Sequence, residues 1–407
     1  MPDRAFDIVV AGAGPAGLAA ARRAAEAGAH VAVIDDNPNP GGQIWRAGAK
    51  GIAAEAAAWM TANVTWICGQ RVVAAPAHCR LTLDETDIAY SRLILATGAR
   101  ERFLPFPGWT LPNVMGAGGL QALAKSGLPI EDKRIVVAGS GPLLLAVANY
   151  MREHGAKVRL IAEQASHPSV VGFALKLAGH PDKLAQALRM KASLFGVRYL
   201  TSCWPIAAYG SEKLEAVTLR RRDTTWNEPC DYLACGFGLI PNLELPALLG
   251  CRIGKAGVAV NEDQETSVAG VYAAGEVTGI GGLDLSLVEG EIAGFAAAGL
   301  REEARRLYGA RYLHRQFAEA LDHAFALRPE LKSLPTDETF LCRCEDVAYG
   351  RVRACAGWRE AKLHTRCGMG PCQGRVCGGA AEFLLGWKTE SVRPPVFPAP
   401  VSAFTRE

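Results

Sequence analysis

Residues Phe6-Asp7-Ile8-Val9-Val10-Ala11-Gly12-Ala13-Gly14-Pro15-Ala16-Gly17 decide how this chain folds. An apolar run typical of a buried parallel strand leads directly into glycines spaced as Gly-x-Gly-x-x-Gly. The alanine-rich stretch that follows to Ala27 predicts a helix ended by Gly28, and residues 30–34 predict a second strand leading to Asp35. A strand, a glycine turn, a helix, a strand and an acid in this order indicate a dinucleotide-binding unit.

Each residue of this motif has a physical role. Gly12 permits the tight turn, Gly14 lets a pyrophosphate approach the backbone, and Gly17 lets helix and strand pack closely. The helix N-terminus offers free N–H groups and the positive end of the helix dipole to the phosphates. Asp35, 23 positions after Gly12, is placed to accept hydrogen bonds from ribose hydroxyls. A glycine turn without a ligand is the alternative, but strand, helix and acid in register favour dinucleotide binding.

Composition limits the class of protein. The chain has 407 residues, 49% of them hydrophobic, which predicts two or three domains with ample cores. A net charge of +3 with 21% charged residues argues against a nucleic-acid partner. The chain enters a strand almost at once without a basic leader or a cleavable apolar segment, so we expect a cytoplasmic protein. The most membrane-like run, residues 135–150, is too short and too interrupted to span a bilayer.

A second copy of the motif lies at residues 134–144. Gly139-Ser140-Gly141 follows an apolar strand, and the next predicted strand, residues 157–162, is followed by Glu163. Leu144 stands where the third glycine should be, and a side chain there interferes with close packing of helix and strand. Two interpretations remain open: a Rossmann-like scaffold without nucleotide, and a binding site for NAD(H).

Two further segments carry a family resemblance. Leu93-Ile94-Leu95-Ala96-Thr97-Gly98-Ala99 and Pro105-Phe106-Pro107-Gly108-Trp109 resemble the end of the first domain in flavoproteins of the glutathione- and thioredoxin-reductase type. The resemblance implies an α/β fold with two Rossmann-like dinucleotide-binding domains and FAD in the first. Residues 270–276 resemble the second FAD motif, with Glu276 in place of the usual aspartate. The helix expected from about 284 to 301 would point its N-terminus at the flavin, where its dipole favours the negative charge of the reduced ring.

The resemblance also implies a set of FAD-binding residues and excludes one reaction. Cys230 and Cys235 are interpreted as core or surface thiols, and neither nucleotide domain contains a redox-active Cys-x2-Cys or Cys-x4-Cys pair, so disulfide reductase activity is excluded. No acid–base residue for amine chemistry is recognisable, so no catalytic residue is assigned. The implied FAD site consists of Gly12, Gly14, Pro15, Ala16, Gly17, Asp35, Asp36, Gly42, Gln43, Arg46, Val73, Ala96, Thr97, Gly98, Gly275 and Glu276.

The cysteines are concentrated near the C-terminus. Of twelve in the chain, six fall between Cys342 and Cys377, while the others are scattered. Cys-x-Cys followed by Cys-x4-Cys provides four thiolates, which suits an iron–sulfur cluster or zinc. The tight Cys-x-Cys pair is unusual for a zinc site, and unmetallated thiols are the third alternative. Spacing alone leaves the second pair open, since Cys367/Cys372 and Cys372/Cys377 are both Cys-x4-Cys.

This segment resembles the [2Fe–2S] module of the bacterioferritin-associated-ferredoxin type. The resemblance rests on Gly-Met-Gly-x-Cys-Gln-Gly-Arg-x-Cys and implies a small helical module. It implies that Cys367 is a neighbour of the cluster and Cys355 a bystander. The implied ligands are Cys342, Cys344, Cys372 and Cys377.

Nearly the whole chain resembles the larger-subunit family of the opine (octopine and nopaline) oxidases, hydrogen cyanide synthase and D-hydroxyproline dehydrogenase. The resemblance is carried by Asn39-Pro40-Gly41-Gly42-Gln43, Gly139-Ser140-Gly141-Pro142-Leu143-Leu144 and Cys342-Arg343-Cys344-Glu345-Asp346. It implies a glycine-oxidase-like flavoprotein partner that oxidises a C–N bond, while this chain takes the electrons. It also allows FMN at a subunit interface, a small additional subunit, and an electron acceptor at the inner membrane.

These motifs predict five segments and leave three functions in competition. The functions are an FAD/[2Fe–2S] subunit of a heteromeric amine or amino-acid dehydrogenase, a self-sufficient NAD(P)H-dependent flavin reductase, and a non-enzymatic iron–sulfur carrier. The predicted segments are an FAD-binding domain at 1–115 and 245–302, a degenerate NAD-binding-like domain at 116–244, a helical arm at 303–335, the [2Fe–2S] module at 336–390 and a tail at 391–407.

Overall fold

The computed structural model describes residues 4–47, 51–179, 181–388 and 392–405. The chain forms two compact units, the first comprising residues 1–100, 240–319 and 390–407, and the second residues 101–239 and 320–389. The cysteine-rich segment therefore belongs to the second unit. The limits of the five predicted segments stay predictions, and those at 1, 390, 391 and 407 lie outside the described residues.

The first unit is built on a seven-stranded sheet around the opening strand Arg4–Ala11. This strand pairs in parallel with Val31–Asp35 on one side and Asp87–Leu95 on the other. Val64–Cys68 extends the parallel part, and Val271–Ala273 joins Asp87–Leu95 in parallel. Arg80–Leu83 and Val72–Ala77 complete the other edge with antiparallel pairing. The carboxyl ends of the parallel strands lie at one edge, where ligands of open α/β sheets bind.

Alanine and glycine determine how the helices of the first unit pack. The helix Pro15–Glu26 crosses the helix Gly282–Ala297 so closely that a Cβ at Gly290 would lie 2.2 Å from the carbonyl oxygen of Ala16. Glycine is therefore required where the two helices cross, at Gly290 and Gly294, because a side chain at either position would separate the backbones. The other helices and 3₁₀ turns that begin in this unit are Ala54–Ala57, Glu244–Leu248, Gly275–Val277, Arg301–Arg305, Tyr308–Ala324 and Val401–Ala403.

The second unit repeats the plan with a five-stranded parallel sheet. Its strands lie in the order Arg198–Thr201, Lys157–Glu163, Arg134–Gly139, Tyr232–Gly236 and Val114–Gly116. A separate antiparallel sheet contains Cys203–Tyr209, Ala216–Arg221 and Thr224–Pro229. The helices Ala117–Lys125, Leu143–Glu153, His167–Lys176 and Pro181–Ser193 and the 3₁₀ turn Leu177–Gly179 follow the strands. Short strands Ala99–Glu101 and Leu239–Pro241 lie where the chain passes between the units.

The C-terminal part of the second unit is small and mostly helical. It contains the 3₁₀ turn Pro329–Ser333, the strands Phe340–Cys342 and Val347–Ala348, and the helices Tyr349–Arg353, Trp358–Thr365 and Cys377–Leu385. Its own core includes Leu341, Val352 and Trp358.

The predicted α/β class with two Rossmann-like units and a small helical C-terminal region is confirmed. Some limits differ from those that the sequence indicates. The helix expected at 284–301 is Gly282–Ala297, and the helicity expected throughout 303–335 is interrupted after Ala324. Among the described residues, no helix combines the length and apolar character needed to cross a membrane.

Candidate cofactor sites

The first glycine turn is packed so tightly that two of its three glycines have no room for a side chain. Gly12 has φ +112°, and a Cβ there would lie 2.2 Å from the carbonyl oxygen of Ala96. A Cβ at Gly17 would lie 1.8 Å from the carbonyl oxygen of Gly12. Gly14 differs, because its Cβ would meet only the Cα of Gly42, at 3.9 Å. The structure thus gives Gly12 and Gly17 packing roles and leaves one side of Gly14 open.

Asp35 joins this turn to the end of the second strand. Its carboxylate, 8% exposed, accepts a hydrogen bond from the Ala13 amide at 2.5 Å. Its other oxygen accepts from the backbone and side-chain nitrogens of Asn37 at 2.8 and 2.7 Å. Each oxygen of a carboxylate has two lone pairs, so the oxygen that accepts from Ala13 alone can still accept from a ribose hydroxyl. Asp35 is thereby fixed in position beside the glycine turn.

The Ala96-Thr97-Gly98 segment is held by a residue that the sequence did not single out. Asn242 donates from its side chain to the Thr97 carbonyl at 2.8 Å and from its backbone to the Gly98 carbonyl at 3.0 Å. Its side-chain oxygen accepts from Arg100 at 2.8 Å. No local motif marks Asn242, because it is distant in sequence from the segment that it holds.

Gly275 lies against the start of the first helix. Gly275 has φ +77°, and a Cβ there would lie 2.7 Å from the Cβ of Ala16. Its amide donates to the buried carboxylate of Glu289 at 3.0 Å, and Glu289 also accepts from Arg315 at 2.8 Å. The sequence did not identify Glu289, because Asp284 and Glu291 lie on the same helix and only the structure shows which acid is buried.

Glu276, next to Gly275, is left without a hydrogen-bond partner among the described residues. Its side chain is half-buried, and burial raises the pKa of its carboxyl group. A carboxylate at this place can accept from a hydroxyl of a bound ligand, as the resemblance implies for the ribityl chain.

The remaining predicted FAD residues differ in their burial and in their contacts. Pro15 opens the first helix, and Arg46 donates to the Asn37 side chain at 2.6 Å. Asp36 accepts from the Asn37 side chain at 2.9 Å, while Gln43 is exposed. Val73 is fully buried, and its carbonyl accepts from the Val396 amide at 2.8 Å. Of this group, the structure connects Asp36 and Arg46 to Asp35 through Asn37.

The residues of the first unit fit FAD. A helix N-terminus without an acid in its first turn, an approachable Gly14 and a positioned Asp35 suit a pyrophosphate with its ribose. Gly42 is compatible with a ligand there because it approaches Gly14 without a side chain: a Cβ on Gly42 would lie 2.8 Å from the Gly14 Cα. The assignment of individual FAD contacts stays a prediction.

The second glycine turn accommodates Leu144 because the neighbouring strand has a glycine, Gly236, beside its side chain. Leu144 is completely buried, and a Cβ on Gly236 would lie 3.1 Å from its Cδ2 atom. The helix begins at Leu143, four residues after Gly139, whereas the first helix begins at Pro15, three residues after Gly12. Leu144 therefore packs without damage to the fold, but the turn before the helix is longer than in the first unit.

Five of the six C-terminal cysteines gather in two groups. The sulfurs of Cys342, Cys367 and Cys377 lie within 4.8 Å of one another and are buried. The sulfurs of Cys344 and Cys372, nearer the surface, are 3.7 Å apart. All four predicted ligands thus have a sulfur close to that of another predicted ligand.

Glycines and one tryptophan hold the cysteine loops together. A Cβ on Gly370 would lie 2.4 Å from the Cβ of Cys344, so only glycine fits beside that cysteine. Gly368 and Gly374 both have positive φ and lie against the Trp358 ring. Arg366 ends the helix Trp358–Thr365 in a left-handed conformation and donates to Glu345 at 2.7 Å.

The proximity of the three buried sulfurs splits their pKa values. Hydrogen bonding from Cys367 and then Cys377 lowers the pKa of the Cys342 thiol. The same bond with Cys342 raises the pKa values of Cys367, to about 12, and of Cys377. Sulfurs held this close indicate a group that ionises thiols when it binds, as metals do.

The cysteine arrangement fits a metal centre with thiolate ligands. A tetrahedral ion about 2.3 Å from each sulfur separates two ligand sulfurs by about 3.8 Å, close to the distance between Cys344 and Cys372. The second iron of a [2Fe–2S] cluster would need two of the three buried sulfurs. The structure brings the Cys367 sulfur into the same group as those of Cys342 and Cys377 and does not distinguish a neighbour from a ligand, so the choice of ligands stays a prediction.

Residues 6–299 match the family model described as pyridine nucleotide-disulphide oxidoreductase. The chain belongs to this family. It is accordingly an oxidoreductase with the flavoprotein architecture of two Rossmann-like units.

Relatives resemble this member of the family over nearly its whole length. An opine oxidase subunit of Rhizobium meliloti is 32% identical over 97% of both chains. The hydrogen cyanide synthase subunit HcnB of Pseudomonas aeruginosa is 30% identical over 97% of both chains. The predicted relationship to opine oxidase and hydrogen cyanide synthase subunits is therefore confirmed. A solved structure of L-proline dehydrogenase from P. horikoshii shares the fold, with a TM-score of 0.67 and 18% identity over 99% of this chain and 80% of that one.

Proposed function

We propose that this chain is the FAD- and [2Fe–2S]-binding subunit of a heteromeric amine or amino-acid dehydrogenase. In this role it relays electrons that a partner flavoprotein removes from a C–N bond. The observation that carries the proposal is the gathering of five cysteine sulfurs in a chain that also has an FAD-type glycine cradle. Two redox sites in one chain suit a relay.

The two groups have complementary redox chemistry. Bound FAD would supply two-electron acceptance, and a bound [2Fe–2S] cluster would supply one-electron transfer. The chain's part is positioning. Gly14 and Asp35 orient the nucleotide end of FAD, and Gly370 lets Cys344 approach the neighbouring loop.

A partner protein is the place we propose for the substrate site. Amine oxidation needs the substrate carboxylate held, usually by arginine, with its C–H directed at the flavin. Arg100 in the first unit is already bonded to Asn242 and to Glu244 at 2.8 and 2.9 Å. The relatives are named as subunits, which supports a heteromeric assembly.

The finer identity of the system follows the family resemblance. We propose CH–NH or CH–NH₂ donors, with opines and secondary amino acids such as D-hydroxyproline as the classes to test first. The partner would be a glycine-oxidase-like flavoprotein. FMN at the subunit interface and a small further subunit are additions to look for. We propose a cytoplasmic complex that delivers electrons to an acceptor at the inner membrane.

Dye-linked dehydrogenase activity tests the division of labour. We expect the co-expressed complex to reduce an artificial dye with these substrates, and the isolated chain with FAD and iron to be inactive. Reconstitution of the isolated chain with FAD, iron and inorganic sulfide, followed by visible spectra, ensures that lost cofactor does not explain inactivity. Comparable turnover by the isolated chain would place the substrate site here and refute the proposal.

A further inference from the structure

The nucleotide cradle of the second unit contains a segment of the chain itself. We name residues 325–328, which follow the helix Tyr308–Ala324, the internal plug. The helix ends at Ala324, and the plug then runs without helical structure to the 3₁₀ turn Pro329–Ser333.

An aromatic side chain covers the second glycine turn. A Cβ on Gly141 would lie 3.7 Å from the Phe325 ring, so this side of the glycine is in van der Waals contact with phenylalanine. Gly141 corresponds to the glycine at which a pyrophosphate approaches the backbone. The Phe325 ring also packs edge-on against Phe173 at 5.3 Å. In the first unit the atom nearest to the corresponding Cβ position, at 3.9 Å, is the Cα of Gly42, so the residue beside Gly14 is a glycine and not an aromatic side chain.

Polar groups of the cradle bind the backbone of the plug. Ser140 in the glycine turn donates to the Phe325 carbonyl at 2.8 Å. Gln164, which follows the acid at the end of the second strand, donates to the Ala326 carbonyl at 3.1 Å and accepts from the Arg328 amide at 3.1 Å. Gln164 is completely buried and donates to Ser140 at 2.8 Å. These buried groups would lose their partners if the plug left without replacement.

The end of the plug is fixed as well. The Arg328 guanidinium lies over the Trp204 ring at 5.3 Å and donates to Ser202 at 3.3 Å. Just beyond it, Leu331 is completely buried in the core of the second unit. The contact therefore has side-chain, backbone and packing components over consecutive residues.

The acid of the second motif is turned inward. Glu163 is 0% exposed and accepts from the amides of Gly141 and Ala165, both at 2.8 Å. A fully buried carboxylate cannot reach the ribose hydroxyls that it would bind in a working site. The glycine turn, which would bind the pyrophosphate, and the acid, which would bind the ribose, thus both make their contacts within the protein.

We propose that the internal plug permanently occupies the second nucleotide cradle, excludes NAD(P)H and ADP-ribose from it, and anchors the chain that leads to the cysteine module. The second nucleotide cradle then binds a peptide segment in place of a nucleotide. This proposal does not depend on the substrate of the complex, since the exclusion of the nucleotide is a property of the second unit.

Hydrogen exchange on the full chain, loaded with FAD and iron, tests the plug directly. In the wild type we expect the Arg328 amide to be protected and NADH or ADP-ribose at millimolar concentration to leave exchange across residues 325–330 unchanged. Gln164→Ala should speed exchange there at least tenfold, and Ser140→Ala, a milder change, should speed it less. Gln316→Ala is the matched control. The Gln316 side chain lies outside the nucleotide cradle and donates to the Tyr312 hydroxyl at 2.9 Å, one turn earlier on the same helix, Tyr308–Ala324.

Two results would overturn the proposal. One is wild-type exchange at Arg328 as fast as in an unstructured peptide. The other is a change in exchange across the plug on addition of either nucleotide, in either direction, since it would show binding at the cradle. The nucleotide comparison uses the wild type alone, so it stands even if Gln164→Ala fails to fold.

Discussion

Gly141 and Glu163 are 22 positions apart in sequence and are joined by a hydrogen bond of 2.8 Å from amide to carboxylate. Ala13 and Asp35 have the same separation of 22 positions and the same kind of bond, at 2.5 Å. Both bonds join the glycine turn to the acid at the end of the next strand, but Gly141 is the counterpart of Gly14 and not of Ala13, so the donor differs by one position between the two units. The two acids differ in their surroundings, since Asp35 borders the approachable Gly14 and Glu163 is completely buried.

Gly14→Ala should remove FAD without unfolding the chain. Gly14 has φ −76°, which alanine adopts freely, and the added methyl group would lie 3.9 Å from the Gly42 Cα. The methyl group would instead occupy the approach of the pyrophosphate. We expect flavin content after purification to fall by about tenfold, equivalent to about 1.4 kcal/mol of binding free energy, with an unchanged circular dichroism spectrum. Gly14→Val should abolish binding.

Gly309→Ala is the control for this experiment, because Gly309 is exposed on the helix Tyr308–Ala324 with nothing within 4 Å of its Cβ position. It should keep its flavin. Normal flavin content in both Gly14 variants would remove the first unit as the FAD site.

Glu289→Ala should destabilise the first unit strongly. Glu289 is buried and bonds to the Gly275 amide, to Thr278 at 2.8 Å and to Arg315. Losing the carboxylate leaves the Gly275 amide unpaired, which costs about 1–3 kcal/mol, whereas the Arg315 side chain is 40% exposed and can be hydrated. Differential scanning calorimetry should show a lower unfolding temperature together with weaker FAD retention.

Glu291→Ala tests whether this effect is specific to the buried carboxylate. Glu291 is on the same helix and pairs with the partly exposed Arg23. Exposed pairs contribute about 0.2–1 kcal/mol, so the change should be small. Equal effects of the two variants would contradict the anchoring role of Glu289.

Cys377→Ser should lose cluster iron, whereas Cys367→Ser should retain most of it. The family resemblance selects Cys372 and Cys377, and the structure places Cys377 beside Cys342. Iron analysis and visible absorption of the purified variants measure the result. Cys355→Ser serves as the control, since the Cys355 thiol bonds to the Arg351 carbonyl and lies outside the sulfur group. Loss of iron from Cys367→Ser with retention in Cys377→Ser would show that the ligand choice is wrong.

Glu163 should make the second unit less stable as the pH rises from 5 to 8. Burial raises the pKa of Glu163 to about 7, against about 4.5 for an ordinary carboxyl group. Between these values the folded state holds a proton that the unfolded state has released, so the free energy of unfolding falls with pH. The slope from this group is at most about 1.4 kcal/mol per pH unit and amounts to about 1–3 kcal/mol in total.

Thermal unfolding of wild type and Glu163→Gln over this pH range isolates the contribution. The variant should be less stable at low pH, because its amide cannot accept from both backbone N–H groups, but its pH slope should be flatter. All other titrating groups are common to both proteins and cancel. Parallel pH profiles would contradict the raised pKa.

The sequence by itself determined the two Rossmann-like units, since their strands, glycine turns and helices are local patterns with fixed spacing. Gly12, Gly17 and Asp35 have the packing and hydrogen bonds that the motif predicts. The clustering of cysteines near the C-terminus also predicted a sulfur-rich site, because cysteines this close in sequence can be brought together by two short loops.

Tertiary structure alone decided which distant groups complete these sites. Asn242 holds the segment around Thr97 from 145 positions away, and Phe325 covers the glycine turn at Ser140 from 185 positions away. Cys367 lies beside Cys342, and the Trp358 ring packs against Gly368, the residue that follows Cys367. Such contacts depend on how elements pack, which local propensity and spacing do not encode. The sequence therefore determined that two cradles form, and packing decided that one is left open while the other is filled by the chain.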